Sequence, residues 1–224
     1  VPSCASEARA VELEIEVRAS RGAALAMAEG WGADSVAANS RALASAMRRG
    51  GRGPNPTALW QDWAGGYATG NMLAVTESLG QLEDLVATVP DAGILAYLLQ
   101  CARGITYLHL GRLPQARAAL ERAQTEQPLH LDALRSIGQP EPILGPAAYL
   151  AWIDLLVGDQ TRAFARQRAI EEDPASDPLL RVCATSFGNT LMLGAGETAL
   201  AVARAEKVLS PEGAGLAPQH TAAA

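Results

Sequence analysis

Apolar side chains recur along this chain at steps of three and four, the spacing that keeps them on one face of an α-helix. Val11, Ile15, Ala19 and Ala23 form the first such stripe, with Glu12, Glu14, Glu16 and Arg18 mostly off it. The stripe predicts a helix over roughly 5–28. The segment "GWGADS" then turns the chain, and Asp34 or a neighbour caps a second helix ending near Arg48. Further helices are expected at about 57–69, 72–87, 92–110 and 114–126. After a long loop come helices at about 146–157 and 160–172, and past "DPASDP" two more at about 179–193 and 197–209. Runs rich in Val, Ile, Thr or Tyr with a period of two are scarce, so the expected class is all-α.

The helices pair across turn glycines: Gly32, Gly70, Gly111, Gly158 and Gly194, which are 38, 41, 47 and 36 residues apart. One two-helix unit recurring at that interval is the mark of a helical solenoid. The expected organisation is one domain over about 5–209, built of hairpins near 5–48, 57–87, 92–126, 146–172 and 179–209. "RRGGRGPNP" reads as a linker and Pro90 as a stop, while residues 210–224 carry no stripe and are expected to fray.

The unit is most legible in "CARGITYLHLGRLPQARAALERAQTEQP", residues 101–128. Gly104 in mid-helix costs about 1 kcal/mol relative to alanine, which makes sense if a neighbouring helix presses on that backbone. Tyr107 fills the adjacent gap, and Gly111 takes the left-handed conformation that stops the helix. Pro114 opens the next helix, where a missing N–H is harmless. Ala116, Leu120 and Ala123 line one face and Pro128 ends the unit.

Those positions resemble the tetratricopeptide repeat, with departures at Gln100 and Arg103, where that family usually has Trp and Leu. The other hairpins match at the turn glycine and a few small residues such as Ala37 and Ala163. The resemblance implies a right-handed α-α superhelix. A wider likeness runs from about residue 9 to 205. "VELEIEVRASRGAALAMAEGWGADSV", "YLHLGRLPQARAALERA" and "LDALRSIGQPEPILGPAAYLAWIDLLVGDQTRAF" are similar to the C-terminal helical-repeat region of bacterial signalling ATPases. In that group a nucleotide cyclase or a LuxR-type or maltose-activator-type DNA-binding domain accompanies a switching ATPase. The likeness implies that catalysis or DNA binding resides elsewhere in a longer polypeptide and that this region senses or docks; the maltose-type activator senses an oligosaccharide with such a region. The start Val-Pro-Ser, without an initiator Met or a visible signal peptide, fits a piece of something longer.

Composition narrows the partners. Net charge is −6 and the basic residues are seventeen Arg and one Lys, scattered among acids, which argues against direct nucleic-acid binding. The one basic knot, Arg48, Arg49 and Arg52, sits in a Gly-rich turn and reads as solvated. Cys4, Cys101 and Cys183 have neither disulfide nor zinc spacing, and Cys101 and Cys183 read as small core residues of a cytoplasmic protein. No apolar run approaches the length of a membrane span.

Motifs of catalysis are nearly absent: there is no GxxxxGK[ST], HExxH, GxSxG or SxxK. Gly194-Ala-Gly196-Glu-Thr-Ala199 loosely fits a dinucleotide fingerprint, but no strand precedes it and it reads as an inter-helix turn. His130 and His220 fall in a loop and the tail. His109 lies near a helix end, where a partly charged imidazole would meet the negative end of the dipole. Glu171, Glu172 and Asp173 read as a solvated face. No metal site or cofactor is expected.

The aromatic residues carry the candidate site. If the first helix of each hairpin lines the concave side, Trp60, Gln61, Tyr67, His109, Tyr149, Trp152 and Arg181 project onto one surface. Aromatic side chains there would stack on a sugar or hold an apolar peptide. The same residues also suit packing between hairpins, the role assigned to Trp31 and Trp63. The leading expectation is a non-enzymatic sensor or scaffold that binds a protein segment or small effector and signals to other domains of the same polypeptide. Its rivals are a purely structural module for self-association or docking, and an enzyme with a site no motif reveals.

Overall fold

The structure, a computed structural model, describes residues 2–30, 33–50, 56–89, 92–137, 140–173 and 178–209. Trp31, Gly32, Arg52, Pro90, most of "DPASDP", His220 and the segment 210–224, to which roles were assigned above, lie outside the described residues. Among the described residues all regular structure is helical. The α-helices are α1 Pro2–Glu29, α2 Asp34–Gly50, α3 Pro56–Ala68, α4 Met72–Thr88, α5 Gly93–His109 and α6 Leu113–Glu126. A 3-10 turn, Gln127–His130, leads to a short α7, Leu131–Ile137. Then come α8 Glu141–Leu156, α9 Gln160–Glu171, α10 Pro178–Gly194 and α11 Thr198–Val208. None of them is long and apolar enough to cross a membrane.

Ten of these helices pack as adjacent pairs: α1 with α2, α3 with α4, α5 with α6, α8 with α9 and α10 with α11. Each pair also touches the next in chain order. First helices meet as α1·α3, α3·α5, α5·α8 and α8·α10, and second helices reach forward as α2·α3, α4·α5, α6·α8 and α9·α10.

Four of the hairpins turn in the same way. Gly70, Gly111, Gly158 and Gly196 have φ of 69°, 72°, 88° and 83°, the left-handed region that a side chain disfavours. In each turn the glycine N–H donates three residues back and the next N–H donates five back. At Gly111 these are Gly111 N to Leu108 O, 3.0 Å, and Arg112 N to Tyr107 O, 2.8 Å. At Gly158 they are Gly158 N to Leu155 O, 2.9 Å, and Asp159 N to Asp154 O, 2.8 Å. This is the Schellman motif, which satisfies the orphaned carbonyls of the helix end. The residue after the glycine already caps the next helix. Asn71 and Asp159 accept from Ala74 N at 3.1 Å and Arg162 N at 3.0 Å. In the first hairpin Gly30 also has positive φ, 87°, and its N–H donates to Ala26 O at 3.0 Å.

Two local expectations are corrected. The turn glycine of the fifth hairpin is Gly196, not Gly194. Gly194 ends α10 and is needed for closeness, because a Cβ there would lie 2.9 Å from the Trp152 ring. The segment expected as a long loop before residue 146 is instead largely helical, and α8 begins at Glu141 with Pro146 inside it. Pro142 occupies the permissive first turn. Pro146 cannot donate to the carbonyl of Pro142, and the hydroxyl of the fully buried Tyr97 donates to that carbonyl instead. A tertiary bond thus replaces the missing local one.

Polar groups clamp helices together within and between hairpins. Asn39 and Gln61 donate to the α1 carbonyls of Arg18 and Ala19 at 2.8 and 2.9 Å. The buried Asp154 carboxylate meets Arg117 at 2.7 Å, Arg162 at 2.9 Å and Arg166 at 3.0 Å, tying α6, α8 and α9 together. Burial pushes its pKa up, but the hydrogen bonds from Arg166, Arg117 and Arg162 outweigh burial and hold it below the ordinary value. Glu171, expected on a solvated face, accepts from Gln167 at 2.7 Å and pairs with Arg204 of α11, joining hairpins four and five.

Gly104 is pressed as expected, by Leu120 of its own partner helix. A Cβ would lie 2.5 Å from Leu120 Cγ. Gly80 in α4 faces nothing within 4 Å. In urea denaturation Gly104→Ala loses about 1–3 kcal/mol despite the better helix propensity, whereas Gly80→Ala gains about 0.5–1 kcal/mol. A more stable Gly104→Ala would show that α5 and α6 do not press together there. Tyr97→Phe, which strands the Pro142 carbonyl, costs about 1–3 kcal/mol in the same assay; an unchanged midpoint would exclude that bond.

Candidate functional site

The Schellman turns fix how far each first-helix residue stands from its hairpin end. Tyr149 and Trp152 lie nine and six residues before Gly158, and Phe187 and Thr190 lie nine and six before Gly196. Equal offsets on neighbouring helices place these side chains side by side. Tyr67, three residues before Gly70, and Leu108 and His109, three and two before Gly111, complete the set with Leu156. All of them line one cavity of about 570 Å³. Its walls come from α3, α5, α8 and α10, the first helices of four consecutive hairpins.

Rings form most of the surface. Tyr67 stacks on Trp63 with centroids 5.6 Å apart, and His109 lies 4.9 Å from Tyr67. Tyr149 presents an edge to both neighbours, at 6.5 Å from His109 and 5.8 Å from Phe187. Three polar groups run in series. Tyr149 OH donates to Tyr67 OH at 3.2 Å, and Tyr67 OH lies 2.8 Å from His109 Nε2. Tyr67 OH accepts from Tyr149 and shares a hydrogen bond with Nε2 whose direction follows the His109 tautomer.

The cavity is uncharged. Its lining has no Asp, Glu, Lys or Arg. Burial lowers the pKa of His109 and raises those of Tyr67 and Tyr149, so imidazole and phenols are neutral near pH 7. The partly charged imidazole expected at this helix end is therefore corrected, because desolvation opposes the charge. Thr190 Oγ1 donates back to Ser186 O at 3.2 Å. Tyr67 OH beside His109 Nε2 is a hydroxyl–imidazole pair within the lining. The arrangement can enclose a ring-bearing, uncharged group and offer it a few hydrogen bonds.

Of the seven residues projected from sequence, Tyr67, His109, Tyr149 and Trp152 line the cavity. Trp60 and Gln61 do not. Each is 1% exposed, and Gln61 is spent on the α1 carbonyl of Ala19. Gln61 sits where hairpin two meets hairpin one, and Trp60 packs in the main core beside Trp63, ring centroids 4.8 Å apart. Arg181 is exposed on α10 and is not part of the lining. Trp63 is buried and donates to Thr106 Oγ1 at 3.1 Å, a packing role. Sequence reasoning missed Phe187 and Thr190 because it set the fifth turn at Gly194. Counting back from Gly196 finds both.

Cys101 and Cys183 are buried, and burial pushes the Cys101 thiol up to about 12, so that thiol is inert. Among the described residues no group of His, Cys, Asp and Glu is placed to hold a metal ion. No family model matches this chain, and no curated protein or solved structure matches it either.

Burial depresses the His109 pKa, so the folded state prefers the neutral ring. Its contribution is fully present above the ordinary value of 6.5 and is lost as pH falls below it. An NMR titration should place the His109 midpoint below 6.5, with stability declining on acidification through that window. A midpoint at or above 6.5 would contradict the burial of this ring.

Proposed function

We propose that this chain is a non-enzymatic helical-repeat sensor, a right-handed α-α superhelix of tetratricopeptide type that takes a small, uncharged, ring-bearing effector on its concave face. The observation that carries the proposal is one cavity lined by the first helices of four consecutive hairpins, without a charged side chain. Its volume of about 570 Å³ suits a small molecule. Trp152, Tyr149 and Phe187 supply stacking surface. His109 supplies a hydrogen bond to a hydroxyl or carbonyl oxygen.

A ligand held by four hairpins at once favours one spacing of those hairpins over others. Binding is then linked to the curvature of the array, and about 1.4 kcal/mol of preference shifts the balance between two curvatures tenfold. By its resemblance to the repeat regions of bacterial signalling and transcription-regulatory ATPases, the chain would pass that shift to a switch domain of the same polypeptide in the cytoplasm. A protein segment inserting one aromatic side chain would use the same walls.

Thermal-shift screening with neutral monosaccharides, oligosaccharides and aromatic amides, followed by calorimetry on hits, tests the proposal. A hit should raise Tm, lose binding in Trp152→Ala and weaken about tenfold or less in Tyr67→Phe. Thr190→Trp, which fills the cavity from an exposed position, should also block it. Hits indifferent to Thr190→Trp, or a preference for charged compounds, would overturn the proposal.

A further inference from the structure

The long helix α1 is apolar on two sides. Its inner stripe, Ile15, Ala19, Ala23 and Ala26, is buried, and Ile15 and Ala19 pack with Leu43, Ala46 and Met47 of α2 and Ala58 of α3. The opposite side carries Ala10, Leu13, Val17, Ser20 and Ala24, all exposed, with Leu13 at 52% and Val17 at 57%. Their spacing is three, four, three, four, the a and d positions of a heptad. A helix apolar on both sides normally has both covered. No other described helix packs on this outer side.

We propose that the outer face of α1 is the seam of a parallel two-stranded coiled coil with α1 of a second copy of this chain. Two features select that occupant. The seam places β-branched Val17 at an a position and Leu13 at a d position, the combination that favours two strands in a parallel coil. The flanking g and e positions hold Arg9, Glu16, Glu14 and Arg21. In a parallel pair each g residue faces the e residue five further along the other helix. That sets Arg9 against Glu14 and Glu16 against Arg21, attractive at both places and doubled by symmetry. An antiparallel pair brings together only Glu14 and Arg21.

Two of these four charges are already engaged within the chain, so the interchain pairing rests chiefly on Glu16 and Arg21. Arg9 pairs with Glu12 at 3.0 Å, and Glu14 meets Arg18 at 2.8 Å and Arg49 at 2.5 Å. Glu16 and Arg21 are exposed, and neither has an ion-pair partner among the described residues. The apolar contacts with α2 and α3 lie on the other side of α1, which leaves the outer stripe uncovered by them.

Sedimentation of the full 224-residue chain over a range of concentrations tests the proposal. A monomer–dimer equilibrium is expected. Leu13→Glu with Val17→Glu should weaken it about a hundredfold or more. Glu16→Arg should weaken it about tenfold by facing Arg21, and adding Arg21→Glu should restore it. In a Cys4→Ser background, Ala24→Cys should form an interchain disulfide under mild oxidation, because a positions meet their own copies only in a parallel pair. These positions are exposed, and circular dichroism melts verify that each variant is folded. A monomer at every concentration, a dimer indifferent to Leu13→Glu/Val17→Glu, a charge swap that fails to restore association, or an Ala24→Cys that never cross-links would each overturn the proposal.

Discussion

A backbone turn that needs no side chain governs this molecule. At Gly70, Gly111, Gly158 and Gly196 the chain enters the left-handed region, returns two N–H groups to the helix it leaves and begins the next helix at the following residue. An L side chain in that conformation costs about 1–2 kcal/mol, which is why glycine stands there. Because four turns share one hydrogen-bond pattern, each of these hairpins leaves its first helix and enters its second in the same way, even where the letters differ.

The rest follows from that register. First helices contact one another in chain order, and their side chains near the turns gather into one cavity. The charged clamps lie outside the cavity. Asp154 of α8 with its three arginines and Glu171 with Arg204 join neighbouring hairpins by groups that are not part of the cavity lining. The cavity is thus left neutral and the joints polar. Hairpin one is tied to hairpin two through Gln61 of α3, which donates to the α1 carbonyl of Ala19, and α1 keeps a second, exposed apolar face.

Much of this was legible from residue types. The helical class, the pairing and most helix boundaries follow from apolar periodicity and glycine spacing. Four of the seven projected site residues meet in the cavity because those projections used glycines that are real turns. What was not legible has physical causes. Pro146 looked like a helix start because its lost hydrogen bond is replaced by Tyr97, which lies far away in sequence. Gly194 and Gly196 look alike in sequence, and only the close approach of Trp152 to one and the positive φ of the other distinguish their tasks. Trp60 and Gln61 share a helix with Tyr67, yet Gln61 is held by α1 and Trp60 is buried in the main core.

The central claim is that the hairpins stand in a row, with first helices side by side. Nitroxide pairs at exposed positions at the ends of first helices, Leu110, Leu156 and Leu193, read this directly by double electron–electron resonance. With roughly 10 Å per helix step, the Leu110–Leu193 distance should exceed Leu110–Leu156 by several ångströms, in chain order. A Leu110–Leu193 distance equal to or shorter than Leu110–Leu156 would mean that the hairpins do not follow one another, and the account would fail.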